Sequence, residues 1–267
     1  MSSTTELASG KLLLDSPAER VTRLTISNEE RRGALDHELL DALAEAVHDP
    51  DGRCVVLRGS GKMFSAGYDI GNLDGDNFED DAEQLVAHPF TSAIEALEAC
   101  PVPTIAEIGG HAIGGGLELA ITCDMRIAAR GVKLGMPPAK LGLIYSHTGL
   151  RKFIEVCGVA NTNELFHVGR NVDAERGERM GLVNQVVEAG ELDDVVGSLA
   201  SEIAANAPLS LTGNKHVIRS LRANPGELPA ELERELVELR ESCFRSVDFR
   251  EGVKAFGEKR APEWRAR

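Results

Sequence analysis

The stretch from Ile108 to Asp124, IGGHAIGGGLELAITCD, constrains this chain more than any other. Five glycines within nine residues, Gly109, Gly110, Gly114, Gly115 and Gly116, stand between a strand-like run, TIAEI, and the apolar run Leu117 to Ile121, which reads as the first turns of a buried helix. Glycine lets the backbone take conformations closed to other residues and lets a ligand lie against a peptide plane, while a helix start leaves N–H groups unpaired. Such a corner is built to hold negative charge: a phosphate, or an oxyanion forming beneath N–H groups aimed at one carbonyl oxygen. The following residues argue against phosphate. A P-loop needs Lys and then Ser or Thr after its last glycine, whereas Gly116 is followed by Leu117 and Glu118, a carboxylate where a cation is wanted. The glycine spacing also fails the dinucleotide fingerprint, as does the lack of a matching acidic residue about 20 positions on. The oxyanion reading remains.

The rest of the chain reads as an α/β core followed by helices. KLLLDSPAERVTRLTIS, from Lys11 to Ser27, predicts a hairpin with SPAE at its turn. Leu39, Leu40, Leu43 and Val47 recur at helical spacing behind Asp36, a candidate cap. CVVLRG suits a strand buried on both faces. A second strand-to-loop corner follows, SGKMFSAGYDI, and then GNLDGDNFEDDAEQ, expected to be an acidic surface loop. Helical spacing returns from Ala82 to Ala99, and Pro101 and Pro103 bracket the entry to TIAEI. After the glycine corner come the strand MRIAAR and a long connection, VKLGMPPAKLGLIYSHTGL, broken by Pro137 and Pro138 and expected to be a loop lining a site. Helices dominate from Leu150, with LVNQVV as one further strand and two charged helices, ELPAELERELVELRESCFRS and DFREGVKAFGEKR, at the end. The expected division is a core over residues 1–200 and a helical region over 201–267.

Composition narrows the partners. Lys and Arg number 29 against 43 Asp and Glu, a net charge of −14 that repels nucleic acid and anionic lipid. The five cysteines lack CxxC spacing and read as buried free thiols of a reducing cytoplasm. The N-terminal MSSTTELASGK has no apolar signal core, and no run approaches the roughly 18 apolar residues of a membrane span. A cytoplasmic protein without membrane or nucleic-acid partners is expected. The seven histidines show no HxH, HExxH or Cys/His spacing, so no metal is expected. Ser146 and His147 are adjacent, which points their side chains apart in an extended loop, and no GxSxG elbow exists to make a hydrolase.

Residues Met63 to Ile70 and Gly110 to Glu118 together resemble the two signature corners of the crotonase, or enoyl-CoA hydratase/isomerase, superfamily. The similarity extends through ALDHELLDAL, VVLRGSGKMFSAGYDI, HAIGGGLELAITCDMRIA, LGLIYSHTGLRKF, GLVNQVV and DFREGVKAFGEKR, most of the chain. It implies a spiral of ββα units, a C-terminal helical trimerisation region giving a homo-trimer or hexamer, and an acyl-CoA thioester substrate whose carbonyl sits between two backbone N–H groups. By motif position these belong to Tyr68 and Gly115. Ala66, Asp69, Gly114 and Pro138 would then lie along the substrate, with Arg31, Arg32 and Lys62 beside the first corner to meet the coenzyme A phosphates. No cofactor is implied, because coenzyme A is part of the substrate.

Glu118 matches the first of the two glutamates that the hydratases use as acid and base, although a Glu this near a helix start can also reach back to cap free N–H groups. The second glutamate's place is taken by Pro138, which cannot transfer a proton. That departure points to an isomerase or weak hydratase working through an enolate with one carboxylate. The run MPPAKLGLIY is similar to a segment of the methylmalonyl-CoA decarboxylase branch, in which a tyrosine at the position of Tyr145 helps hold the departing carboxylate, while Tyr68 replaces that branch's histidine. Decarboxylation of a malonyl-type thioester is therefore an alternative, as is a catalytically silent binding protein.

Overall fold

The computed structural model of the 267-residue chain describes residues 4–69 and 89–267. Ile70, the acidic stretch at 71–84 and the first part of the helix expected over 82–99 lie outside the described residues. In chain order the described strands are β1 (Thr5–Leu7), β2 (Leu12–Ala18), β3 (Val21–Ile26), β4 (Ala34–Leu35), β5 (Cys54–Gly59), β6 (Met63–Ser65), β7 (Gly67–Tyr68), β8 (Thr104–Ile108), β9 (His111–Ile113), β10 (Met125–Ala129), β11 (Lys133–Gly135), β12 (Val172–Asp173) and β13 (Gln185–Val187). The described helices are α1 (His37–His48), α2 (Thr91–Ala99), α3 (Gly115–Thr122), α4 (Pro138–Leu141), α5 (His147–Asn163), α6 (Ala174–Met180), α7 (Leu192–Ala205), α8 (Pro208–Ala223), α9 (Ala230–Arg245) and α10 (Val247–Glu258).

Seven strands form the main sheet in the order β1-β2-β3-β5-β8-β10-β13, antiparallel from β1 to β3 and parallel from β3 onward. A smaller sheet runs β12-β11-β9-β6, and β4 pairs with β7. The main-sheet strands β3, β8 and β10 are each followed by a short strand in a smaller sheet and then by a helix, and β5 is followed by two short strands, β6 and β7. Because successive units pair in parallel, the chain advances as a spiral of ββα turns. The reason is visible in the residues. In CVVLRG, Cys54 to Leu57 are all buried, as a strand covered on both faces must be. Asp36 caps α1 by accepting from Leu39 N at 3.0 Å, and Leu39, Leu40, Leu43 and Val47 turn inward.

The opening hairpin forms with a shifted turn. Ser16, Pro17 and Ala18 belong to β2, where the register slips between Asp15 and Ala18, and the chain reverses at Glu19 and Arg20, the latter at φ 62°. Proline has no N–H to give a ladder and is tolerated at such an irregularity, beyond the reach of β1. The strand β1 itself precedes the expected start. The long connection from Val132 to Leu150 is also more ordered than its glycines and prolines suggested: it contains β11, the short α4 begun by Pro138, and the start of α5. Ser146 caps α5, accepting from Gly149 N at 3.1 Å, and His147 is exposed, so neither is arranged for nucleophilic chemistry.

Helix α7 runs through residue 200 and lies on the main sheet with Leu192, Val196, Ala200, Ile203 and Ala204 buried. Helices α8 to α10 extend beyond it and bury few residues of their own, leaving Phe244, Val253 and Phe256 exposed. The final residues fold back. The Asp248 carboxylate accepts from Arg265 N and Ala266 N at 2.7 and 3.0 Å, and the half-buried Trp264 donates its indole N–H to Ala205 O at 2.7 Å with its ring against Gly252. All five cysteines are free thiols; Cys243 is half-buried and the other four are buried, which pushes Cys54 and Cys123 up to about 12. No helix among the described residues is long and apolar enough to cross a membrane.

Helix α3 is buried along its whole length, and its first turn is possible only because Gly116 has no side chain: an added Cβ would stand 2.4 Å from Ser65 O. Gly197, inside α7, meets nothing within 4 Å. Gly116→Ala is therefore expected to destabilise the protein by about 1–3 kcal/mol through overpacking, whereas Gly197→Ala should stabilise it by about 0.5–1 kcal/mol through helix propensity. Urea unfolding of the two variants checks both signs.

Candidate active site

Two corners meet at the N-terminus of α3. The first is held by Ser65, fully buried, whose hydroxyl donates to Gly33 O at 2.7 Å and accepts from Gly67 N at 3.1 Å. Gly67, at φ 91°, leaves no room for a side chain, since a Cβ there would stand 2.9 Å from both Gly115 N and Ile113 O. The backbone that leads into Tyr68 is thus pressed directly against the first peptide of α3. Gly114 N donates to Gly135 O at 2.8 Å, and Leu117 N and Glu118 N both turn back to Gly114 O. Gly115 is the first helical residue, so its N–H has no intrahelical acceptor. The Tyr68 ring lies over Gly115, its Cζ 3.4 Å from where a Cβ would be, and packs edge-on to Phe90 with ring centres 4.6 Å apart.

Glu118 follows one turn later. Although it is only 3% exposed, its carboxylate does not cap the helix; Oε2 accepts from the Tyr145 hydroxyl. Burial pushes this carboxyl above its ordinary 4.5, and the Tyr145 hydrogen bond and the Lys152 charge offset the rise in part. Burial also raises both phenols, and the neighbouring Glu118 charge adds to it. The chain has only two tyrosines, and both meet at this acid. Tyr145 is held from behind by Phe166 at 5.5 Å between ring centres. Gly149 packs against the other carboxylate oxygen, with a Cβ position 3.0 Å from Oε1.

Two cavities share these groups. A small one of about 80 Å³ is lined by Ala66, Tyr68, Gly114, Gly115, Pro138 and Tyr145. A larger cleft of about 300 Å³ shares Tyr68 with it and is lined also by Glu118, Phe90 and Ile94. Seven of the residues singled out in the sequence therefore converge: Ala66, Tyr68, Gly114, Gly115, Glu118, Pro138 and Tyr145. Asp69 lies just beyond and pairs with Arg31 at 2.6 Å, while Arg31, Arg32 and Lys62 are exposed and line neither cavity. Among the described residues no group of three or more His, Cys, Asp or Glu is placed to hold a metal.

The sequence reading missed three contributors. Ser65 carried a usable signal, a small hydroxyl residue just before the AG turn. Phe90 had none, being one aromatic in a helix entry. The pair of Lys152, 8% exposed, with Glu98 could have been suspected from a lone lysine within the apolar run LRKFIEV, but its partner lies 54 positions away.

These features coincide with what comparison finds. The family model for enoyl-CoA hydratase/isomerase matches residues 19–267. A probable enoyl-CoA hydratase of Mycobacterium tuberculosis is 34% identical over 256 residues, covering 92% of this chain and 95% of that protein. The 1,2-epoxyphenylacetyl-CoA isomerase of Escherichia coli is 32% identical over 260 residues, covering 95% and 98%. The crystal structure of an enoyl-CoA hydratase from Bacillus anthracis superposes with a TM-score of 0.88 at 29% identity, covering 96% of this chain and all of that one. With ββα turns, a glycine corner at the head of a buried helix and a match over nearly its whole length, the chain belongs to the enoyl-CoA hydratase/isomerase family.

Proposed function

We propose that this enzyme shifts the double bond of an enoyl-CoA thioester, with Glu118 as the group that both removes and returns the proton. The observation that carries this reading is the buried Glu118 carboxylate, raised in pKa and hydrogen-bonded by Tyr145, one turn from the Gly115 N–H, with Pro138 lining the small cavity beside Gly115 and Tyr145. The thioester oxygen would rest between Tyr68 N–H and Gly115 N–H. As Glu118 takes a proton from the carbon chain, the electron pair moves onto that oxygen as an enolate, and the same carboxyl delivers the proton to a different carbon. Each oxyanion donor of this type is worth about 3–4 kcal/mol. Desolvation raises the Glu118 pKa and so makes it a stronger base than a surface carboxylate.

Hydration is served best by two carboxylates holding one water, and Pro138 supplies neither acid nor base. Water addition is therefore a weak activity in this reading. Decarboxylation is less supported, because the Tyr145 hydroxyl is engaged by Glu118 and a substrate carboxylate entering there would face a second buried anion. No resident cofactor is needed, since the enolate is stabilised by backbone alone. Arg31, Arg32 and Lys62 would meet the coenzyme A phosphates from outside the small cavity. The exposed apolar residues of α8 to α10, Ile218, Phe244, Val253 and Phe256 among them, suit a self-associating face, as a trimer or hexamer.

Glu118→Gln should lower kcat for double-bond isomerisation by about 100-fold or more while acyl-CoA binding persists, because shape survives and basicity does not. Stopped-flow rates with a 3-enoyl-CoA and calorimetry with a saturated analogue separate the two effects; full retention of rate overturns the assignment. In the wild type, kcat/KM should fall on the acid side as Glu118 protonates, with a midpoint above 4.5. Tyr145→Phe removes the donor that favours the anion, so that limb should move to still higher pH, and an unchanged or lowered midpoint would contradict the role given to Tyr145. Sedimentation at micromolar concentration should give a mass well above the 28.7 kDa of one chain, and truncation at Pro225 should reduce the assembly.

A further inference from the structure

The larger cleft carries a statement about the acyl group, one that rests on the reading of Glu118 and Gly115 just given. An acyl-CoA with its carbonyl at Gly115 brings its reacting carbons to Glu118 and continues past Tyr68 into this cleft, because Tyr68 and Glu118 both line it. Phe90, Ile94 and Ile218 give it an apolar part. Most of its other lining side chains are charged. Lys152 pairs with Glu98, Lys215 with Asp124 at 2.7 Å, and Arg222 with Glu155 at 2.8 Å. The two lysine side chains are 10% and 12% exposed, whereas their carboxylate partners are 32% and 37% exposed. Accessible acceptors thus stand beside nearly buried donors in the cleft that Glu118 also lines, and the Glu118 carboxyl feels both Lys152 and Glu98.

An alkyl chain entering this space strips water from those groups and returns nothing for it. A chain that ends in a hydrogen-bonding group replaces the displaced water. We infer that the acyl group this enzyme takes is short and ends in a hydroxyl or a carboxylate, held by the Lys152–Glu98 pair and the ion pairs around it. An unbranched hydrocarbon tail is the wrong occupant.

Binding of saturated thioesters tests this without turnover. Calorimetry with hexanoyl-CoA, 6-hydroxyhexanoyl-CoA and the mono-CoA thioester of hexanedioic acid compares chains of one length that differ only at the far end. One or both of the polar-ended ligands should bind about tenfold or more tightly than hexanoyl-CoA, and the better of the two tells hydroxyl from carboxylate. Lys152→Met should erase that advantage. Should that variant fail to fold with Glu98 left unpaired, Glu98→Gln frees the Lys152 ammonium and should raise the carboxylate ligand relative to the hydroxyl one. Hexanoyl-CoA equal to or tighter than both polar ligands, with octanoyl-CoA tighter still, overturns the inference and leaves the isomerase reading standing. No acyl-CoA binding more tightly than free coenzyme A overturns both.

Discussion

Backbone pressed on backbone is the constraint on which this site depends. Gly67 touches the first peptide of α3, and Gly116 touches the carbonyl of Ser65. Both contacts are made first with backbone atoms, the Ser65 Cβ being the one side-chain atom close by, so the spacing between the two corners rests on covalent geometry and close packing more than on rotamers. Packed interiors resist sub-ångström displacement, and that stiffness is what a pair of N–H donors needs if they are to be aimed before the charge appears. The main sheet serves the same end. β5 and β8 are hydrogen-bonded neighbours, and each feeds one corner, so the two donors inherit the register of a parallel pair.

Glu118 presents the opposite problem, a charge that must stay usable in a place with little water. Its nearest support is a neutral phenol, with Lys152 acting from farther away through its charge and itself neutralised by Glu98. A direct salt bridge would have lowered the pKa and dulled the base, whereas no support at all would have let burial raise it further. The intermediate arrangement leaves the carboxyl raised, with the phenol and the lysine charge holding the rise back. Arg31, paired with Asp69 at the edge of the first corner, stands outside the cavities and leaves the Glu118 carboxyl untouched.

Much of this was legible because it was local. The glycine corner, the Asp36 cap, the buried run CVVLRG and the position of Pro138 are each properties of a few adjacent residues, and resemblance across the ordered blocks supplied the spiral. What escaped reading was non-local or context-dependent. Pro17 suggested a turn, but a register slip absorbed it within β2. Tyr145 and Glu118 lie 27 positions apart and Lys152 and Glu98 lie 54 apart, so their pairing exists only once α2, α3 and α5 are packed. Whether Glu118 capped its helix or faced the site was likewise a question of which partner arrived first in space, and Tyr145 answered it.

The aromatic residues give the molecule an unplanned division of labour. The single tryptophan, Trp264, belongs to the returning C-terminal segment and is bonded to the end of α7, while both tyrosines stand at the candidate acid. Light absorbed at the red edge of the protein spectrum therefore reports on whether that last segment is seated, and phenol absorbance reports on the polarity beside Glu118. Two optical channels, without any added dye, thus address the tail and the surroundings of Glu118.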